Sequence, residues 1–457
     1  EIRFPRSNGD HFIAATYSEQ IMSTPSDRSQ DQLYTDRKGS DTPDDFVNSE
    51  GGSLLYSSNY QLKDNLDLVL NSSFRIKDSH SDLQSTAYPS YSDTTLTNYQ
   101  LTPRINHISS LFGKNTKSNY GIDIQYADYK SLRKKNKKAI PLHRYYAWQS
   151  TQSIYAQQSL EFDKYTKLGL GVRAQRNEIA IGDILNTNAP DYSGWQTEHE
   201  TFLDDEINYA LNLGFETKIN KNTLIYGRLG NGFRYPNIDD RIGGSGGTSL
   251  NLKTQKSNDL EIGSKFDSEN FFSNFSFFVI DSENELAYDT DAFENINVNS
   301  TRRFGFELKT TKQISKKLIW SNNYTFLKAK YTSENQGTYA TDFNKNDIPL
   351  VPESSLDSIL KFNLSDSTKL ISSIKYQDDM RMESDDENFQ DTKIPNYIIA
   401  NIDLKSKLDY FFFTISVNNL LNTNYHNYAV ASSSTIGTYN AYPEPGREII
   451  ISIGSEF

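Results

Sequence analysis

Histidine, serine and glycine-rich motifs are the features of this sequence that could carry chemistry. None of the six histidines among the 457 residues has a partner at the i, i+4 spacing that directs two imidazoles at one zinc ion. No dinucleotide fingerprint occurs. The glycine-rich stretch 243–247, Gly-Gly-Ser-Gly-Gly, has the spacing Gly-x-Ser-x-Gly, but it has neither the lysine of a phosphate loop nor a following helix, so we interpret it as a flexible loop. We therefore predict no catalytic residue, no metal site, no cofactor and no enzymatic activity. The histidines are His11, His80, His107, His143, His199 and His426.

Two sets of carboxylates are dense enough to suggest a calcium site, because Ca²⁺ prefers oxygen ligands. Neither set has the spacing of an EF-hand loop, so we interpret both as solvated loop charge. The first set is Asp378, Asp379, Glu383, Asp385, Asp386 and Glu387, and the second is Asp281, Glu283, Glu285, Asp289 and Asp291.

A run of basic residues occupies positions 133–138, where Arg133-Lys134-Lys135-Asn136-Lys137-Lys138 is expected on a long connection between strands. Lipid phosphates or an anionic ligand could bind there, and a plain solvated loop is an equal alternative. Arg234-Tyr235-Pro236 is interpreted as the end of a strand, since proline cannot donate to a strand ladder. Direct contact with a ligand is the alternative for these three residues.

The composition excludes several classes of protein. A net charge of -12 opposes a nucleic-acid partner, which would require a basic face. Only 36% of the residues are apolar, and no stretch approaches the roughly 18 apolar residues of a membrane-spanning helix. A membrane β-strand needs an apolar residue only at alternate positions, and the 29 Tyr and 26 Phe suit strands and interfacial aromatic girdles.

Alternation of apolar and polar residues is the dominant pattern along the chain. Ile449, Ile451, Ile453 and Phe457 share one face of the last segment, and the intervening residues are mostly polar. Similar segments of about ten residues recur throughout, and this dyad repeat is typical of strands with lipid on one side and an aqueous lumen on the other. Polar residues expected to face the lumen include Asp67, Arg75, Asp123, Arg173, Glu307 and Lys309.

The connections between these segments alternate between short and long, as in outer-membrane barrels with short periplasmic turns and long extracellular loops. We predict about eighteen strands, the penultimate one over 410–428, and an all-β transmembrane antiparallel β-barrel. Residues 1–6 are expected to be the tail of a further descending strand. The predicted long connections are 77–100, 130–146, 178–201, 231–257, 283–301, 333–355, 378–395 and 429–446.

Several motifs, taken in order, resemble the C-terminal part of the barrel of TonB-dependent outer-membrane receptors. They are Asn231-Gly232-Phe233-Arg234-Tyr235-Pro236, Asp259-Leu260-Glu261-Ile262-Gly263, Arg303-Phe304-Gly305-Phe306-Glu307-Leu308, Val417-Asn418-Asn419-Leu420-Leu421-Asn422 and Pro445-Gly446-Arg447 with the terminal Phe457. The earlier half matches only in general pattern. The resemblance implies that Phe457 is a signal for the outer-membrane assembly machinery.

The resemblance also implies a barrel of about 22 strands around a plug domain. Residues 1–457 are then a receptor-like barrel that is N-terminally incomplete, without the plug and about four strands. The implied partners are outer-membrane lipid and lipopolysaccharide, the assembly machinery, and the TonB complex through a plug domain absent from this chain.

The leading hypothesis is an outer-membrane receptor for TonB-energised uptake of a bulky, scarce solute, which the resemblance implies is an iron–siderophore chelate or cobalamin. The substrate-binding residues are not predicted. One alternative is a passive, substrate-specific porin whose eighteen strands form a complete barrel. Another is a soluble all-β binding or adhesion protein.

Overall fold

The computed structural model describes residues 2–6, 9–24, 26–83, 89–189, 201–242, 249–289, 294–332, 343–432 and 434–455. The predicted assembly signal Phe457 lies outside these residues, as do His199, Asp291 and the stretch 243–247. Within the described residues, no helix has the length and apolar character needed to cross a membrane.

Strands form where apolar and polar residues alternate, because successive side chains point to opposite faces of a sheet. In the strand containing residues 143–161, Tyr146, Trp148 and Ile154 are exposed on one face, while Tyr145 and Ala147 are buried on the other. The exposed face of the sheet is apolar, and we call it the outer face. The opposite, inner face carries mainly polar side chains.

The strands have the following bounds: β1 Ile2–Arg6, β2 Gly9–Ser23, β3 Arg28–Ser29, β4 Phe46–Lys63, β5 Leu66–Leu83, β6 Ser90–Leu111, β7 Lys114–Lys134, β8 His143–Glu161, β9 Thr166–Leu185, β10 Phe202–Lys218, β11 Thr223–Arg234, β12 Gln255–Ser268, β13 Phe271–Asp289, β14 Glu294–Ser315, β15 Leu318–Tyr331, β16 Ser354–Asn363, β17 Thr368–Gln377, β18 Tyr397–Leu408, β19 Phe411–Asn418, β20 His426–Ala431, β21 Tyr439–Pro443 and β22 Glu448–Ser455. The two short helices are α1 Gln30–Thr35 and α2 Ile238–Arg241.

Nineteen of these strands form one antiparallel sheet in which each strand pairs with the next one along the chain, while β3, β20 and β21 form a separate small sheet. Short turns join the strands at one end, and all the long connections lie at the other, which we call the loop end. The turn between β6 and β7 consists of Phe112 and Gly113, both with positive φ. The predicted all-β antiparallel architecture is confirmed, and so is the predicted alternation of short and long connections along the chain.

In the part of the chain that the structure describes, the nineteen-stranded sheet has two edges at which no register pairing is seen. β1 pairs only with residues 9–13 of β2, so residues 14–23 of β2 have a neighbour on one side alone. At the other edge, β22 pairs with β19. Among the described residues, register pairings of β22 are found with β19, and none with β1 or β2.

Two predictions about strand ends were wrong. The strand predicted over 410–428 ends at Asn418, because Asn419 and Asn422 adopt positive φ and the side chain of Asn419 bonds to the backbone N and O of Thr423. The predicted long connections are also shorter than expected, since β5, β6, β9, β13 and β14 continue well into them. Side-chain contacts accompany the backbone pairing of these extensions: Ile179 and Ile181 of β9 are buried on the inner face, and Glu285 of β13 pairs with Arg303 of β14.

Candidate functional site

The inner face is a polar surface whose groups bond to one another across neighbouring strands. Asp123 and Arg173, both predicted to face the lumen, form an ion pair with a 2.6 Å N–O distance. Arg228 donates to Asn212 and pairs with Asp259 at 2.9 Å. Charged groups paired in this way suit a water-filled or plugged passage and would be costly against lipid.

Three long connections fold together at the loop end into a structure that we call the cap. The connection 24–45 contributes β3 and α1, the connection 419–447 contributes β20 and β21, and the connection 378–396 contributes a segment around Glu383. β21 pairs with both β20 and β3. The backbone amide of Glu383 donates a hydrogen bond to the carbonyl oxygen of Ala429. The backbone amide of Ala431 donates one to the carbonyl oxygen of Glu383, and both N–O distances are 2.9 Å.

The cap has a hydrophobic core of its own, which fixes the three connections relative to one another. Arg28 anchors its first strand: the guanidinium is almost fully buried and pairs with Asp36 at 2.7 Å and Asp41 at 3.1 Å. Ser29 begins α1 with a capping box to Gln32. The buried core residues are Leu33, Met380, Met382, Ile394, Ala429, Ala431 and Ala441.

Within the cap, Glu383, Asp385 and Asp386 of the first carboxylate set are not the solvated loop charge that we predicted, whereas Glu387 is exposed. Asp385 is fully buried and pairs with Arg381 at 3.0 Å. Asp386 accepts a hydrogen bond from the hydroxyl of Tyr331. Burial, with a smaller contribution from Asp386, raises the pKa of Glu383 to about 7. The interpretation as solvated loop charge was wrong for these residues because they lie against the hydrophobic core of the cap, which the spacing of residues in the sequence does not reveal.

The second carboxylate set is also structured. Its described members lie on β13, and the set is not a loop. Asp281 accepts two hydrogen bonds from Arg302, and Glu285 accepts two from Arg303, at 2.6–3.0 Å. These carboxylates therefore join β13 to β14 above the apolar band.

A second loop folds inward on the other side of the mouth. β11 ends at Arg234, as predicted, and the chain turns across the inner face, where the hydroxyl of Tyr235 donates to the carbonyl of Gln175 at 2.7 Å. Arg241 is buried against the ring of Phe202 at 4.7 Å. Ile238 and Ile242 cover an apolar patch on the inner face formed by Tyr129, Tyr145, Ala147, Ile179 and Ile181.

The inward turn of this loop leaves a seam between β10 and β11. Their pairing stops at Asn212 and Gly230, although β10 extends to Phe202. The side chain of Asn231 bridges the start of the seam, accepting from the amide of Leu211 at 2.8 Å and donating to the carbonyl of Tyr209 at 3.0 Å. This gives the first motif of the family resemblance a structural role.

The basic run lies at the loop end, as predicted. Arg133 and Lys134 belong to β7, and Lys137 and Lys138 are exposed beyond it. The described histidines serve structural contacts: His143, for example, contacts both oxygens of Asp183, at 2.9 and 3.0 Å. The described residues contain no group of three metal-ligating side chains close enough to share an ion.

An apolar outer face, a polar inner face and long connections gathered at one end define a transmembrane β-barrel of the bacterial outer membrane. The chain belongs to the family described as TonB dependent receptor-like, beta-barrel, whose model matches residues 2–420. The match thus includes the first half of the chain, in which the sequence resembled this family only in its general pattern of strands. By its family, the protein is an outer-membrane receptor.

Several solved structures share this fold. The ferric yersiniabactin uptake receptor FyuA from Yersinia pestis is 13% identical, with a TM-score of 0.80, over 98% of this chain and 68% of that one. The siderophore receptor PiuA from Acinetobacter baumannii is 15% identical, with a TM-score of 0.77, over 98% and 72%. The ferric-catecholate import receptor Fiu from E. coli K12 is 14% identical, with a TM-score of 0.74, over 98% and 72%.

Proposed function

We propose that this protein takes up an iron chelate of the siderophore type, which binds at the extracellular mouth and passes through the barrel. The observation that carries the proposal is the mouth itself, where the cap and the inward loop present ordered polar groups above a polar lumen. The structural relatives named above are receptors for such chelates, and this supports the choice of solute. Cobalamin is the other solute that the family resemblance implied.

The experiment is an uptake assay in a strain from which the gene has been deleted. We expect reduced growth on limiting iron and reduced accumulation of labelled iron chelate, both restored by the intact gene. Labelled cobalamin is the parallel arm. Unchanged uptake of every tested chelate and of cobalamin would contradict the proposal.

We further propose that additional strands and a plug domain complete the receptor. Unpaired backbone groups at a sheet edge cannot face lipid, where no water satisfies them. The open edges at β2 and β22 therefore require partners, and about three strands would bring the nineteen to the size of a plugged barrel of about 22. In this proposal the plug engages the TonB complex, and the terminal Phe457 engages the assembly machinery.

A further inference from the structure

A pair of tyrosines lies on the side of the cap that faces away from its core. The pairing of β20 with β21 places Tyr428 opposite Tyr442, and their ring centroids are 5.6 Å apart. The adjacent residues Ala429 and Ala441 are fully buried in the cap core, so the two rings point the other way. Tyr428 is 38% exposed and Tyr442 is 46% exposed. The two rings therefore form an accessible aromatic surface.

A carboxylate and a third tyrosine border this pair. Glu383 forms a parallel bridge with Val430 of β20. Burial, followed by the charges of Glu383, Tyr442 and Tyr288, raises the pKa of Tyr428 to about 12, so both Glu383 and Tyr288 lie close to the pair. Tyr288 is at the loop end of β13, five strands from β18, and the surface therefore faces the interior of the mouth. We call Glu383, Tyr428, Tyr442 and Tyr288 the mouth surface.

The cap that carries this surface is strongly acidic. The connections 24–45, 378–396 and 419–447 contain fourteen Asp and Glu but only six Lys and Arg, a net charge of -8 in a chain whose net charge is -12. Of the other two cations, Lys38 follows α1 and Arg447 precedes β22, so neither lies on the small sheet. Four of the six are bonded within the cap, to carboxylates or to a backbone carbonyl: Arg28, Arg37, Arg381 and Lys393.

The basic part of the loop end lies elsewhere. The connection 130–146 contains seven Lys and Arg and no Asp or Glu, and it joins β7 to β8. β7 is eleven strands from β18 in the sheet, which is half the circumference of a barrel of about 22 strands. The acidic cap and the basic connection are therefore on opposite sides of the mouth. A solute at the mouth surface meets a negative potential.

We propose that the mouth surface selects an iron chelate without net negative charge, of the hydroxamate class. A ferric hydroxamate complex is neutral, because each hydroxamate carries a single negative charge, and it is a cation where its chain ends in an ammonium. Tyrosine rings attract an ammonium through their π faces, and their hydroxyls can donate hydrogen bonds to hydroxamate oxygens. Glu383 supplies the charge that pairs with the ammonium. This inference rests on the proposed function, because it names the class of the solute.

The same surface opposes an anionic chelate. A tris-catecholate complex of Fe³⁺ is a trianion, and the juxtaposition of like charges is how interfaces reject a wrong partner. The two classes of chelate differ in their iron-binding groups as well as in charge. A test of the inference must therefore change the charge alone.

Ferrioxamine B and its N-acetyl and N-succinyl derivatives provide that test. The three bind iron through the same hydroxamates and carry one positive charge, no charge and one negative charge. Binding is measured with receptor extracted from outer membranes in detergent, at about pH 8.5, where Glu383 is ionised because its pKa is about 7. We expect the affinity to fall in that order, with at least about a tenfold difference between the cation and the anion. Ferric enterobactin, a tris-catecholate, should bind more weakly than all three.

Substitutions separate the charge of the mouth surface from its rings. Glu383→Gln should reduce the preference for the cation over the anion to less than about threefold. Glu387→Gln is the matched control, because it removes the same charge from an exposed position of the same connection, and it should keep the wild-type preference. Tyr428→Leu with Tyr442→Leu should weaken binding of all three derivatives by about tenfold.

Four results would overturn the inference. They are an unchanged preference in Glu383→Gln, an equal loss of preference in Glu387→Gln, tighter binding of the N-succinyl derivative than of ferrioxamine B, and tighter binding of ferric enterobactin than of all three derivatives. If the tighter binding of an anion is lost in Lys137→Gln with Lys138→Gln, recognition belongs to the basic connection instead.

Folding and the uptake proposal are checked separately. Heat-modifiable migration shows whether each variant is folded, and Tyr442→Leu alone replaces the double variant if that one fails to fold. Uptake of an anionic chelate by cells would overturn the inference and leave the uptake proposal standing. Binding of none of the iron chelates would contradict both.

Discussion

Glu383 is the residue whose ionisation should control the cap. Its pKa is raised to about 7, mainly by burial and further by Asp386. A carboxyl group with a raised pKa binds its proton more tightly in the folded loop than in an unfolded chain. The cap should therefore be most stable below pH 4.5, the ordinary value, and should lose this stability as the pH rises to about 7.

We expect the protection factors of the amides of Glu383 and Ala431, measured by hydrogen exchange and corrected for intrinsic rates, to fall about tenfold across this range. In the Glu383→Gln variant, the pH dependence of these protection factors should disappear. Glu387→Gln is the control, because Glu387 is exposed on the same loop. A pH dependence that survives in Glu383→Gln would refute this role for Glu383.

Gly305 illustrates why a motif residue is glycine. A Cβ at this position would lie 2.0 Å from the backbone oxygen of Phe326 and 3.1 Å from the Cα of Leu327, so β14 and β15 could not remain this close. We expect Gly305→Ala to cost about 1–3 kcal/mol in the free energy of unfolding, measured with denaturant in detergent. In the control Gly214→Ala the nearest atom is 3.8 Å from the new Cβ. Equal stability of the two variants would contradict this explanation.

At the scale of the strand, the alternation of faces predicts opposite effects at adjacent positions. Ile124 is exposed on the outer face of β7, and Gln125 lies on the inner face. Ile124→Lys should destabilise the folded protein in lipid bilayers by about 2–4 kcal/mol, because the ammonium would enter hydrocarbon. Gln125→Lys should change the free energy of unfolding by no more than about 0.5 kcal/mol. Similar costs at both positions would refute the assignment of faces.

Strands were predictable from the sequence because a strand with one face in lipid has an apolar side chain at every second position. Ile449, Ile451 and Ile453 on β22 are an example, and all three are exposed on the outer face. The cap was not predictable, because its core joins Leu33 to Ala441 across most of the chain with no shared periodicity. One signal was present: Met380 and Met382, like Ala429 and Ala431, alternate within connections that were taken for loops.

At the scale of the whole molecule, the open edges make a prediction about assembly. The 457-residue chain expressed alone should fail to give a monomer with heat-modifiable migration, because among the described residues β22 and residues 14–23 of β2 have a register pairing on one side only. The same chain completed by the additional strands and the plug domain proposed above should give one. A folded, steadily conducting monomer from the 457 residues alone would instead support the porin alternative.

The sidedness of the barrel is the claim on which the account of the mouth and of the direction of uptake depends. The sequence contains no cysteine, so single cysteines can be introduced without background. Lys137→Cys lies at the loop end, and Asp64→Cys lies in the short turn between β4 and β5. We predict that a membrane-impermeant maleimide labels Lys137→Cys in intact cells and labels Asp64→Cys only after the outer membrane is permeabilised. Labelling of Asp64→Cys but not Lys137→Cys in intact cells would contradict the account.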